Sequence, residues 1–84
     1  MTYRIEFKKS VARDLRRLDR AEANRVLSKL AAELPQSAES CPALAGRFAG
    51  LREFRVGEYR VIFAIIGESV LVTRIAHRRD VYRG

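Results

Sequence analysis

The chain has little of the chemistry that stabilises many small proteins. Cys41 is the one cysteine among 84 residues, so an intrachain disulfide is excluded, and the single histidine makes a cysteine–histidine zinc cluster improbable. No apolar run is long enough to span a membrane, and the N-terminus lacks the apolar stretch of a signal peptide. We therefore expect a cytoplasmic domain with no membrane contact, no cofactor and no metal.

Positive charge is what the chain has in excess. It carries 17 Lys and Arg against 10 Asp and Glu, for a formal net charge of +7, while its 48% hydrophobic content is ordinary for a folded domain. A dense positive field attracts and steers polyanions, which favours a nucleic-acid, ribosomal or acidic-protein partner. The length predicts one domain, residues 1–84, whose single small core is only marginally able to stabilise itself.

Hydrophobic periodicity in the first half predicts one strand and two helices. Residues 2–7 alternate as a half-buried strand does. Ser10 is a candidate cap of a first helix, and the segment from Asp19 to Glu22 has capping-box spacing for the start of a second. The apolar seam of the second helix runs to Leu34, and we expect Pro35 to end it. One bent helix over residues 10–34 is the alternative.

The second half predicts three strands joined by short turns. Residues 51–56, 59–66 and 69–76 are rich in β-branched and aromatic residues, and Gly57 and Gly67 lie in the turns between them. The order is an N-terminal strand, a two-helix hairpin and an antiparallel β-meander. It predicts an α+β domain with the helices packed on one face of a small, mostly antiparallel sheet.

After Lys29 every cation of the chain is arginine, and most of these arginines lie on or beside the predicted strands. A planar guanidinium binds phosphate through two parallel hydrogen bonds and stays charged at any usable pH. With His77 and Tyr82 among them, these side chains indicate a basic cleft at the strand ends. They are Arg47, Arg52, Arg55, Arg60, Arg74, Arg78, Arg79 and Arg83.

Two segments resemble the signatures of the RelE/ParE superfamily of type II toxin–antitoxin systems. Gly57-Glu-Tyr-Arg-Val-Ile-Phe63 is similar to its pattern of Gly, acidic residue, Tyr, Arg and three apolar residues. Ile75-Ala-His-Arg-Arg-Asp-Val-Tyr82 resembles its closing motif. The resemblance covers essentially the whole chain and implies the same fold. The superfamily contains ribosome-dependent mRNA endonucleases of the RelE type and DNA gyrase inhibitors of the ParE type.

A RelE-type toxin would cleave mRNA in the ribosomal A site by attack of a ribose 2′-hydroxyl on the adjacent phosphate, without a metal. The resemblance assigns Arg60 to phosphate stabilisation, Arg78 to the leaving-group side and Tyr82 to support of the substrate. The expected RNA-binding residues are Arg52, Arg55, Arg74 and Arg79.

Glu53 departs from the RelE-type pattern, which commonly has a basic residue at that place and lysines on the same strand. Arginine cannot serve as a base, because its pKa is above ~12. We therefore hypothesise that Glu53 is the general base and that His77 is the acid or a phosphate ligand.

Other interpretations stay open. Arg52 and Arg55 can simply solvate a strand face, and Arg74 can form a structural ion pair with Glu53 or Glu58. A ParE-type gyrase inhibitor without nuclease activity and a plain nucleic-acid-binding domain are the alternative functions. The resemblance implies a cognate antitoxin protein as partner, with which the chain can form a toxin–antitoxin hetero-oligomer, and the RelE type adds the ribosome and mRNA.

Overall fold

The computed structural model describes residues 2–83. Two helices follow the first strand, and three strands then run in sequence, which confirms the α+β class. The elements are β1 (Arg4–Phe7), α1 (Val11–Arg16), α2 (Arg20–Ser37), β2 (Arg52–Val56), β3 (Tyr59–Ile66) and β4 (Ser69–His77), with single 3₁₀ turns at Ala38–Ser40 and Gly46–Phe48 between α2 and β2.

The four strands form one mixed sheet in the order β1-β4-β3-β2. β1 pairs with β4 in parallel, whereas β2–β3 and β3–β4 are antiparallel. The β3–β4 register shifts between Ile62 and Phe63, which leaves Thr73 as the extra residue of a β-bulge. The bulge is held from both sides: the Thr73 hydroxyl donates to the Ile62 carbonyl at 3.2 Å, and Oδ2 of Asp14 accepts the backbone N–H of Ile75 at 3.0 Å.

The core lies between the helices and one face of the sheet, which we call the helix face. Val26, Leu30 and Leu34 recur every four residues along α2 and are fully buried, as an apolar seam facing a sheet must be. They pack in one cluster with strand residues such as Phe63 and Ile75. Within residues 2–83, none of the helices combines the length and apolar character that a membrane crossing requires.

The opposite face, which we call the outer face, carries most of the charged residues of the strands. The register aligns Arg55 with Arg60 and Ala76, and Glu53 with Ile62. Because side chains alternate along a strand, all of these share the outer face.

The C-terminal turn, residues 78–82, covers part of the outer face. Ile62 and Val81 are both buried, yet neither belongs to the core cluster on the helix face. The Tyr82 hydroxyl contacts Glu53 on β2. The chain end therefore returns over the sheet and buries side chains that the period of two alone would leave in water.

The expected end of the second helix was wrong. α2 continues through Pro35 to Ser37. A proline in the last turn removes one N–H, so it deprives only the Ala31 carbonyl of its helical donor, close to the end where carbonyls lose their donors in any helix. The side chains of Gln36 and Ser37 donate hydrogen bonds to the carbonyls of Ala32 and Glu33, each at 2.8 Å, so they supply donors to backbone carbonyls near the C-terminal end of the helix.

The helix starts fall where the sequence predicted, but without the predicted side-chain bonds. Ser10 and Asp19 are the N-cap residues of α1 and α2, and neither side chain makes a capping hydrogen bond. The alternative of one bent helix is wrong, because Asp19 has an extended ψ of 143° between the two helices.

Candidate functional site

Glu53 lies at the centre of a group of polar side chains on the outer face. Its Oε1 is 2.8 Å from Nε of Arg55 and 3.2 Å from Nε of Arg60, and its Oε2 accepts a hydrogen bond from the Tyr82 hydroxyl. We call Glu53, Arg55, Arg60 and Tyr82 the Glu53 cluster. The strand register explains why the first three residues lie together. Arg55 and Arg60 are directly paired, and Glu53 is two residues before Arg55 on the same face.

The two arginines of the cluster differ in their freedom. The side chain of Arg60 is 12% exposed, and its Nη1 donates to the carbonyls of Gly57 at 2.8 Å and Tyr59 at 3.0 Å. The side chain of Arg55 is 68% exposed and contacts Glu53 through Nε alone. Arg60 is therefore fixed in place, whereas Arg55 keeps the outer edge of its guanidinium free for an anion.

The electrostatics of the cluster keep Glu53 ionised and Tyr82 neutral. Burial raises the pKa of Glu53, but the hydrogen bonds from Tyr82 and Arg55 and the charges of Arg55 and Arg60 outweigh burial and leave that pKa below its ordinary value. Burial, followed by the hydrogen bond to the Glu53 carboxylate, raises the pKa of Tyr82 to about 12.

Sequence reasoning missed Phe48, and it named Arg47 among the arginines of the basic cleft without placing that residue beside Tyr82. The ring of Phe48 meets the ring of Tyr82 edge to face with centroids 5.0 Å apart, and Nη2 of Arg47 lies 3.4 Å from the Tyr82 carbonyl. The Arg47 guanidinium also lies over the Phe48 ring at 5.0 Å. Both residues belong to the irregular segment between α2 and β2, where no periodicity indicates what a side chain faces.

His77 lies apart from the cluster. It pairs with Tyr59 on the helix face, with ring centroids 5.6 Å apart, and its Nδ1 accepts the backbone N–H of Arg79 at 3.1 Å. Its neighbour Arg78 turns to Glu58, with Nε 2.7 Å from Oε2, and both of these side chains are more than half exposed. Arg78 and Arg79 therefore lie in solvent near the end of β4.

Arg52 and Arg74 also lie outside the Glu53 cluster. Arg52 is on the helix face, paired with Phe63, and its Nη1 donates to the carbonyls of Glu39 and Cys41 at 3.2 and 2.8 Å. It fixes the segment after α2. Nη2 of Arg74 donates to the Asp80 carbonyl at 3.0 Å. The ion pair considered for Arg74 is not formed, because Glu53 and Glu58 pair with other arginines.

No metal centre accompanies this arrangement in the part of the chain that the structure describes. Residues 2–83 contain no group of three or more His, Cys, Asp or Glu side chains placed to hold an ion. What the Glu53 cluster offers is a fixed carboxylate, two guanidinium groups and a neutral phenol.

Known proteins share this fold over nearly the full chain. A toxin–antitoxin complex, RelBE2 from Mycobacterium tuberculosis, matches with a TM-score of 0.84 and 25% identity over 93% of this chain and 100% of that chain. An archaeal RelE–RelB complex from Pyrococcus horikoshii matches with a TM-score of 0.66 and 27% identity over 96% and 100%. The chromosomal ParDE system from P. aeruginosa has a TM-score of 0.75 and 13% identity over 90% and 96%, a likeness of fold alone.

The sequence itself gives the family. No curated protein has significant sequence similarity to the chain. However, the model of the family described as ParE toxin of type II toxin-antitoxin system, parDE, matches residues 5–82. That match spans the fold and the whole Glu53 cluster, and the chain therefore belongs to this family, as a toxin of a type II toxin–antitoxin system within the RelE/ParE superfamily.

Proposed function

We propose that this toxin is a metal-independent endoribonuclease that cleaves mRNA on the ribosome, with the Glu53 cluster as its catalytic site. The observation that carries the proposal is the convergence of Glu53, Arg60 and Tyr82 from two strands and the C-terminal turn. A base, a cation for the developing charge and a group that orients the substrate are what phosphodiester cleavage by a 2′-hydroxyl needs.

In the proposed reaction the ribose 2′-oxygen bonds to the adjacent phosphorus, and the bond from phosphorus to the 5′-oxygen of the next nucleotide breaks. Glu53 accepts the 2′-hydroxyl proton, and Arg55 and Arg60 stabilise the charge on the non-bridging oxygens. Water protonates the leaving oxygen beside Arg78, and the hydroxide that remains takes the proton held by Glu53, which restores the carboxylate. The products carry a 2′,3′-cyclic phosphate and a 5′-hydroxyl. His77 has no part in this scheme, because it lies on the helix face.

Access to Glu53 sets a condition on the reaction. Glu53 is 8% exposed, and Tyr82 occupies its Oε2. The exposed ring of Tyr82 must therefore move aside when substrate binds, for example by stacking on a base. This requirement fits an enzyme that is active only when the ribosome presents the mRNA in one conformation, since positioning then supplies much of the rate.

The test is primer-extension mapping of translated transcripts after induction of the toxin. We expect cuts at codon positions with the wild-type chain and none with Glu53→Gln or Arg60→Lys. Arg60→Lys keeps the charge but loses the guanidinium fork. Arg16→Gln is the control, because Arg16 is exposed on α1. Growth arrest by the wild-type chain with intact transcripts would overturn the proposal.

Inhibition of DNA gyrase by binding is the second candidate, and one observation favours it. The oxygens of Glu53 are occupied by donors from three residues, so the cluster as it stands offers substrate no exposed base. A supercoiling assay with purified gyrase separates the two functions. A gyrase inhibitor stops supercoiling and leaves RNA intact, and its activity survives Glu53→Gln if the variant folds.

A cognate antitoxin is the further partner that we propose. The similar complexes from M. tuberculosis and P. horikoshii are toxin–antitoxin pairs. Here an apolar groove of about 360 Å³ lies beside Lys8 and Lys9, and Phe7 at its rim is 46% exposed. It suits an amphipathic, acidic segment. Co-purification of the chain with the product of a neighbouring small acidic reading frame tests this, and Phe7→Asp should abolish it.

A further inference from the structure

A second basic cleft lies between α1 and β4, and none of its lining residues belongs to the Glu53 cluster. It has a volume of about 340 Å³ and is lined by Lys8, Ser10, Arg13, Asp14, Arg17, Thr73 and Arg74. Residues 10, 13, 14 and 17 are spaced by three and four, so they share one side of the helical segment, and that side faces the bulged part of β4. Local sequence and the bulge together therefore place four cations around one opening.

The single carboxylate of the cleft, that of Asp14, offsets only one of these four positive charges. Oδ2 of Asp14 accepts the backbone N–H of Ile75 and is thereby committed to the β-bulge. Among the residues described, no ion pair within 4.0 Å involves Lys8, Arg13, Arg17 or Arg74. The cleft therefore keeps an excess of positive charge that an anion can meet.

Arg74 lines the cleft and has an unsatisfied donor. Its Nε is buried and has no hydrogen-bond partner, whereas its Nη2 is held by the Asp80 carbonyl at 3.0 Å. A buried guanidinium N–H without an acceptor is costly and needs an explanation. An adjoining pocket of about 200 Å³ shares Asp14, Arg17 and Arg74 with the cleft and ends at His77. Arg74 thus lies between two polar openings.

We propose that this cleft, defined by Lys8, Arg13, Arg17 and Arg74, binds consecutive phosphate groups of a nucleic-acid backbone. The cleft is open, and its cations come from the β1–α1 connection, from α1 with its C-cap and from β4, a spread that suits a chain of phosphates better than one small anion. Ser10 adds a neutral donor at the rim. Phosphate contacts of this kind position a protein on nucleic acid without reading its sequence. The site would orient the toxin on its target while the Glu53 cluster remains free.

Fluorescence anisotropy with labelled oligonucleotides tests the proposal. The first probe is a single-stranded 2′-O-methyl RNA, which lacks the hydroxyl that cleavage requires; an RNA hairpin of the same chemistry and a DNA duplex are the other arms. The double variant Arg13→Gln/Arg17→Gln is compared with Arg16→Gln/Arg20→Gln, which removes the same charge from exposed residues that line a different groove. Circular dichroism checks that both fold.

We expect the cleft variant to lower affinity for the single strand by about 25-fold at ~0.1 M salt and to reduce the slope of log K against log salt by about 1.4, the loss of two phosphate contacts. The control pair should change affinity by less than about three-fold. If the wild-type chain binds the RNA hairpin or the DNA duplex more tightly than the single-stranded RNA, the tighter probe identifies the kind of nucleic acid whose phosphates the cleft binds.

Equal losses in the two double variants would overturn the proposal, because net charge alone would then explain binding. A loss confined to an acidic peptide probe, poly-glutamate, would overturn it too and would make the cleft a protein site. Binding to uncleavable probes does not depend on the nuclease. The proposal that the cleft binds phosphates and the proposal that the Glu53 cluster is catalytic can therefore fail independently. Anisotropy tests the first, and transcript mapping tests the second.

Discussion

The carboxylate of Glu53 and the guanidinium of Arg60 face each other across β2 and β3, with Oε1 and Nε 3.2 Å apart and their side chains only 10% and 12% exposed. Arg55 contacts the same oxygen at 2.8 Å with a side chain that is 68% exposed. The cluster thus contains two ion pairs to one carboxylate that differ chiefly in burial, which allows the effect of burial to be measured directly.

Arg60→Gln should destabilise the fold by about 3 kcal/mol, because it leaves a buried carboxylate with one partner fewer. Arg55→Gln should cost less than about 1 kcal/mol, since water replaces an exposed guanidinium. Urea unfolding at neutral pH, followed by circular dichroism, measures both free energies. Equal costs for the two variants would contradict the assignment of Arg60 as the buried partner.

Acid should remove the contribution of Glu53 to stability. Its pKa is lowered in the folded chain by donors and charges that outweigh burial, so the folded state holds the proton less tightly than the unfolded state. The contribution is therefore present above the ordinary glutamate pKa of about 4.3 and is lost as pH falls through the folded value. Urea midpoints of the wild type and Glu53→Gln should differ at pH 7 and converge towards pH 2. A constant difference across this range would show that the charge of Glu53 contributes nothing.

Much of the fold could be predicted because local chemistry agrees with the final structure. β-branched and aromatic residues define β3 to the residue, and glycines with φ of 57° and 59° form the turns on either side of it. The period of two along β2 also predicts which arginine can join Glu53. Arg52 and Arg55 are three residues apart, so they had to lie on opposite faces, and only one of them could join Glu53.

The remaining features depend on contacts between distant parts of the chain. The position of His77 depends on the β3–β4 register, which pairs it with Tyr59 on the helix face. The contact of Tyr82 with Glu53 spans 29 residues and needs the C-terminal turn to fold back over the sheet. Periodicity places His77 on the face of Ile75, but it encodes neither the contact of His77 with Tyr59 nor that of Tyr82 with Glu53, because both are set by tertiary packing.

Gly57 should be more sensitive to substitution than Gly67. Both have a positive φ, 57° and 59°, so alanine costs each about 1 kcal/mol of backbone strain. A Cβ at Gly57 would also lie 3.0 Å from Nη2 of Arg25, whereas nothing lies within 4 Å of one at Gly67.

Arg25 can move away from Gly57 only by giving up its exposed pair with Glu22, worth about 0.5 kcal/mol. Urea unfolding should therefore show Gly57→Ala to be costlier than Gly67→Ala by about that amount, and Arg25→Ala should remove the difference. A difference that persists without Arg25 would point to strain in the turn itself, which also supplies the carbonyl that holds Arg60.

The hydroxyl of Tyr82 should titrate late and stabilise the fold only while it is protonated. Its pKa is raised to about 12, first by burial and then by the Glu53 carboxylate. Since the folded value exceeds the ordinary tyrosine pKa of about 10, the contribution to stability is complete below pH ~10 and is lost as pH rises towards the folded value. At pH 7, Tyr82→Phe should cost about 1 kcal/mol through the missing hydrogen bond.

The ultraviolet difference between the wild type and Tyr82→Phe, measured near 295 nm as pH rises, isolates this hydroxyl from the other tyrosines. We expect a midpoint near pH 12 in the wild type, and a midpoint that moves back towards the ordinary value in Glu53→Gln, where the neighbouring negative charge is absent. Phe48→Ala removes a ring that packs against Tyr82 but leaves the carboxylate in place, so it should also lower the midpoint, because burial is the first cause of the raised pKa. A midpoint that stayed the same in Glu53→Gln would show that the carboxylate contributes nothing to the pKa of Tyr82.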